Sequence, residues 1–167
     1  TGAQIAGLVD SGADEPVTLG LKPTLVAGDM PALLSHGVAV TYAVVGNVLT
    51  ASAGERVVFT LAVNANGCWS FAVGDQVDHV AGGGENSALQ LASGGSVASI
   101  DFSKVLTGTD YDGDTVTGAA SGSFTIAVQD DIPVASTSSG SFVTAVVEED
   151  GMAGIATGDL STGNKEA

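Results

Sequence analysis

Cysteine is nearly missing: Cys68 stands alone, so no intramolecular disulfide can staple the chain and rigidity must come from elsewhere. Positive charge is almost as scarce. Four Lys and Arg face nineteen Asp and Glu, a formal net charge of -15, which argues against nucleic acid and anionic membrane surfaces as partners and makes cations the natural ones. No stretch approaches the ~20 consecutive apolar residues of a membrane-spanning helix, so membrane insertion is not expected. Thr1 to Gly12 lack the basic segment and apolar core of an export signal, which fits an internal piece of a longer chain. Histidine is limited to His36 and His79, far from each other and from Cys68, so the closely spaced ligands of a zinc site are missing. Cys68 reads as a buried, inert thiol beside Trp69.

Nucleophile and phosphate signatures are missing too. No Gly-x-Ser-x-Gly elbow occurs, and Gly82-Gly83-Gly84 is not followed by the Lys-Ser or Lys-Thr pair of a phosphate loop. Asp78 and Glu85 would be the candidates for a glycosidase acid and base, but no cleft-forming insertion accompanies them. The expectation is a protein without enzymatic activity.

What is present is apolar and regular. Aromatics make up only 5% of the chain, yet hydrophobic residues reach 44% against 14% charged, ample for a packed core and unlike an acidic disordered chain. The 167 residues fit one domain, or one domain plus the first strand of another. Val- and Thr-rich segments of alternating polarity, separated by Gly, Asn, Asp and Ser turns, predict an all-β fold. Strands are expected over 17–21, 38–45, 48–52, 56–63, 68–73, 88–92, 97–105, 121–128 and 141–147. Gly46-Asn47 and Asn64-Ala65-Asn66-Gly67 have the composition of hairpin turns, so successive strands should pair antiparallel. In 56–63, Val57, Phe59, Leu61 and Val63 fall on one face, the pattern of a sandwich strand, and Trp69 and Phe71 continue it as core anchors. A short helix is expected to begin at Pro31, capped by Gly28 or Asp29. Pro133 and the run Ser136 to Gly140 predict a linker over 132–140 that ends a module spanning 1–131; residues 141–167 either begin a following repeat or supply a last strand.

The acids are clustered. Asp110-Tyr111-Asp112-Gly113-Asp114-Thr115 places three carboxylates on alternate residues around a turn glycine, hard oxygen donors at a spacing that suits Ca²⁺. It is not an EF-hand, because Thr115 stands where the loop glycine belongs and Ser121 where the closing Glu belongs. Further oxygens must then come from elsewhere, with Asp101, Asp130 and Asp131 available. Asp130-Asp131 and Glu148-Glu149-Asp150-Gly151 flank the linker, where an ion between or at the ends of modules would sit; charged strand ends that discourage aggregation explain them as well. The polar stretches Asp75 to His79 and Gly82 to Asn86 form a loop that, with Trp69, is the candidate for a lectin-like or peptide-binding site.

The run from Leu106 to Gly118, followed by Ser123-Phe124-Thr125-Ile126-Ala127-Val128-Gln129-Asp130-Asp131-Ile132-Pro133-Val134-Ala135, resembles the end of a repeat from large repeats-in-toxin (RTX) adhesins and related type I-secreted proteins of Gram-negative bacteria. Gly12 to Val17, Asp78-His79-Val80 with Gly84-Glu85-Asn86, and Val147 to Met152 are similar to other pieces of that repeat. The resemblance implies tandem antiparallel β-sandwiches of Ig- or cadherin-like build, stabilised by calcium, secreted and displayed on the cell surface in adhesion or biofilm formation. It implies neighbouring repeats of the same chain as partners, with a host or surface ligand as a further one. The calcium ligands it implies are Asp110, Asp112, Asp114, Asp130 and Asp131, with Glu149 and Asp150 at the linker.

Overall fold

The computed structural model describes residues 4–10, 17–82 and 86–131, all within the unit Thr1–Ile132. The expected strand at 141–147, the linker, and the acids Glu149 and Asp150 lie outside the described residues. Within them the chain forms strands β1 (Thr18–Leu21), β2 (Leu34–Ser35), β3 (Val38–Ala39), β4 (Thr41–Val45), β5 (Val48–Ala53), β6 (Arg56–Val63), β7 (Trp69–Val73), β8 (Leu89–Gln90), β9 (Ser96–Val97), β10 (Ile100–Asp101), β11 (Leu106–Thr109), β12 (Thr115–Thr117) and β13 (Thr125–Ile126). The helical content described is two 3-10 turns, Ala6–Leu8 and Ser103–Val105. The fold is all-β, in several antiparallel sheets.

The largest sheet runs β4-β5-β6-β7, and a three-stranded sheet runs β1-β11-β12. Val45 pairs with Val48 across Gly46-Asn47, and Gly46 takes φ 59°, the glycine-first geometry of a type II′ hairpin. Asn47 then does a second job: its Oδ1 accepts a bond from Leu21 N at 3.4 Å, and its carbonyl accepts one from Val63 N at 3.0 Å. One turn residue thus joins the two sheets.

The alternation expected in β6 breaks at one point. Phe59, Leu61 and Val63 are buried, but Val57 is 46% exposed and Val58 is buried instead. Ala51 pairs with Phe59 and Ser52 with Val57, leaving Val58 as the extra residue of a β-bulge, which turns the chain and reverses the inward face.

Two further expectations fail for local reasons. No helix starts at Pro31, because Leu33 bridges Leu91 and Ala92 N bonds to the carbonyl of Ala32 at 2.8 Å; sheet-like pairing takes the groups a helix would need. The expected strand 97–105 splits into β9, β10 and a 3-10 turn. Asp101 Oδ1 accepts from Ser103 N at 2.9 Å, a local side-chain bond that competes with continued strand pairing. Residues 38–45 are likewise two strands, since β3 pairs with β2 while β4 pairs with β5. In 121–128 only Thr125–Ile126 pairs as a strand, and β11 and β12 arise where the sequence showed only a turn.

The core is a chain of rings. Phe59 lies 5.2 Å from Phe71 and 6.3 Å from Phe102, edge-on to the latter; Phe102 lies 5.7 Å from Phe124, and Phe124 5.2 Å from Trp69. Trp69 and Phe71 are therefore core anchors, as expected. Phe102→Ala is expected to lower stability by about 3–5 kcal/mol, whereas Val57→Ala, on the strand that carries Phe59, costs less than about 1 kcal/mol. Urea denaturation of both variants measures the contrast, and equal losses would contradict the bulge.

Candidate metal centre

Strands β11 and β12 form a hairpin in which Thr109 pairs with Thr115, so the five residues 110–114 make its loop. Gly113 sits at φ 100°, a backbone conformation that costs other residues dearly. Asp110 organises the loop: its Oδ1 accepts from Gly113 N at 3.0 Å and Asp114 N at 2.8 Å, and its own N–H donates to Asp114 O at 3.1 Å. Below it the hydroxyls of Thr109 and Thr115 bond at 2.9 Å. The result is a fixed platform from which Asp110, Asp112 and Asp114 each present an oxygen within 4.8 Å of the others.

The three carboxylates have no Lys or Arg partner among the ion pairs of the described residues. A hydrogen bond shared with Asp112 holds the Asp110 carboxyl below its ordinary value, desolvation opposes it, and the N–H groups of Asp114 and Gly113 add to the lowering. The loop thus gathers three carboxyl groups on one hydrogen-bonded hairpin. An all-oxygen donor set of this kind fits a hard divalent cation and not a thiolate- or imidazole-seeking one.

A fourth acid joins it that the sequence pattern did not suggest. Asp10 lines the same hollow of about 240 Å³ as Asp110 and Asp114. Gly108 allows this approach: a Cβ there would stand 2.6 Å from Val9 Cγ1 and 2.8 Å from Val17 Cγ1, so a side chain on β11 would push the N-terminal segment away. Nothing in the local spacing of Asp10 signals the role, because the association is made by packing across the fold.

The other expected ligands are not brought to this cluster. Asp101 is committed to structure: besides Ser103 N, its Oδ2 accepts from Ser121 Oγ at 3.1 Å and Gly122 N at 2.9 Å. Asp130 and Asp131 line a separate open cleft of about 490 Å³ together with His79. There His79 Nε2 bonds Val128 O at 2.9 Å and Nδ1 lies 3.8 Å from Asp130 Oδ1.

The acids of the loop 75–79 are also engaged. Asp78 accepts from His36 N and Gly37 N, each at 2.7 Å, fixing a hairpin turn in which His36 has φ 50° and Gly37 φ 73°. Asp75 is paired with Arg56 and with His36 Nε2, the latter at 3.0 Å. The glycosidase partner Glu85 lies outside the described residues. Among those described, His36, His79 and Cys68 form no joint metal group. Cys68 is half-buried, not buried as expected, because it closes the turn Asn64 to Gly67 just before β7, its carbonyl accepting from Asn64 N at 2.7 Å. Trp69 faces Phe124 on one side and bounds a hollow with Ile5 and Leu8 on another.

Comparison with protein-family models, curated proteins and solved structures returns no match.

Asp101 supplies a pH test. Desolvation raises its pKa, but hydrogen bonds from Ser103, Gly122 and Ser121 outweigh that and leave it below the ordinary value. A lowered folded pKa contributes stability above the unfolded value, and that contribution is lost as pH falls through the folded one. Asp101→Asn is expected to melt lower than the parent at pH 7, with the gap closing between about pH 5 and pH 2. Thermal scans across that window test this; a gap independent of pH would count against it.

Proposed function

We propose that this chain contributes a calcium-binding structural module to a large bacterial surface adhesin, an extender that calcium stiffens outside the cell. The observation that carries the reading is the Asp110, Asp112 and Asp114 hairpin, three carboxylates without a cationic side-chain partner among the described residues, on a backbone fixed by its own hydrogen bonds. Calcium takes six to eight oxygens; Asp10 across the hollow, loop carbonyls and water would complete the set. An ion there would tie the N-terminal segment to the β11–β12 hairpin and relieve the mutual repulsion of the loop. The sheets would close as a sandwich around the ring chain. The similarity of 106–118 and 123–135 to RTX repeats supports the adhesin context, secretion through a type I route, and neighbouring repeats as partners. The role is a mechanical one, not catalysis.

A second reading, a calcium-dependent lectin-like or peptide-binding domain, draws on the cleft beside His79, Asp130 and Asp131. Glycan or peptide binding that disappears with EDTA would favour it over the extender.

An ion that binds only the folded state stabilises it by RT ln(1 + [L]/Kd), about 2.7 kcal/mol at a hundredfold excess over Kd. In a unit of this size that is a rise of roughly 10 °C in melting temperature on going from EDTA to millimolar calcium. The double variant Asp112→Asn, Asp114→Asn should lose most of the rise, and Asp10→Asn part of it. Identical midpoints for the parent with EDTA and with calcium would sink the proposal.

A further inference from the structure

The last stretch of the described unit has little pairing of its own. After β13 ends at Ile126, residues 127–131 run on without sheet assignment, yet they form one wall of the 490 Å³ cleft through Val128, Gln129, Asp130 and Asp131. Val128 packs against the core, and two hydrogen bonds from the segment's backbone reach the loops beside it. Asp130 N donates to Asn86 O at 2.8 Å, and His79 Nε2 meets Val128 O at 2.9 Å. A carbonyl can only accept, so His79 carries its hydrogen on Nε2, which leaves Nδ1 toward Asp130 Oδ1 at 3.8 Å.

His79 is well placed for a clamp. Its side chain is only 8% exposed, and its backbone is fixed independently of residues 127–131: His79 bridges Leu89, Gln90 N bonds Asp78 O at 2.7 Å and Val80 N bonds Ala88 O at 2.8 Å. A rigid base thus carries a buried donor aimed at a segment that lacks a ladder. Such weakly paired segments open locally at far lower cost than the sheets they lie on.

We infer that His79 is a clasp that fixes residues 127–131 as a strap against the body of the unit and so shapes the wall of the cleft. His79 is in this sense a positioning residue. Its imidazole fixes the strap at Val128, and releasing it loosens the wall that carries Asp130 and Asp131. The inference does not depend on calcium at the Asp110 hairpin.

Amide hydrogen exchange of the whole chain in EDTA, read for single residues by NMR, tests it with the ion site out of play. In His79→Ala the Asp130 amide should exchange about tenfold faster than in the parent, while the Val80 and Gln90 amides keep their protection. In His79→Gln, whose side-chain amide can still donate to Val128 O, Asp130 should recover part of its protection. Unchanged exchange at Asp130 in His79→Ala overturns the clasp. So does equal acceleration at Val80 and Gln90, which would mark general loosening, and so does a His79→Gln variant no better protected than His79→Ala.

Discussion

The contact between Phe59 and Phe102 is what the other parts of the fold lean on. Phe59 projects from the middle of the four-stranded sheet, Phe102 from the break between β10 and the 3-10 turn, and both are completely buried. Phe71 and Phe124 extend the contact on either side. In a chain with a lone cysteine and short strands, this cluster supplies cohesion that no covalent link provides. Large rings bury 150–250 Å² each and prefer the tilted and edge-on arrangements found here. The segment around Phe102 is further fixed by the buried hydroxyl of Ser103, which accepts from Phe124 N at 2.9 Å, so polar and apolar contacts fix the same place.

The acids divide by what their oxygens hold. Asp29, Asp78 and Asp101 each accept backbone N–H bonds and serve as turn clamps. Lys22 is spent on Asp29, Arg56 on Asp75, and Lys104 on the carbonyl of Gly28. The basic side chains of the described residues are therefore engaged elsewhere, and none pairs with the carboxylates of the 110–114 loop. Among the described residues the hairpin's carboxylates therefore have no cationic side chain paired with them, which is the physical basis of the proposed calcium response.

Legibility in the sequence followed the range of the interaction. The bounds of β6 and the hairpin turns at Gly46-Asn47 and Asn64 to Gly67 were readable because alternation and turn chemistry are set by neighbours in the chain. The alternate aspartates at 110, 112 and 114 were readable for the same reason, since a short loop must bring them together. The bulge at Val58 was not, because it depends on which residue of β5 lies opposite. Nor was the extended path after Pro31, where the partner is the distant segment at Leu91 and Ala92.

The sequence by itself determined that this is an all-β chain, that it is strongly acidic, and which loop sets three acids on alternate residues; each rests on composition or on contacts within a few residues. Only the tertiary structure decided which acids share that loop's surroundings. It set Asp10 beside the hairpin through the space left by Gly108, turned Asp101 into a clamp for Ser121 and Gly122, and carried Asp130 and Asp131 to His79. A carboxylate's role depends on the donors and charges around it, and those neighbours are chosen by packing between segments far apart in the chain.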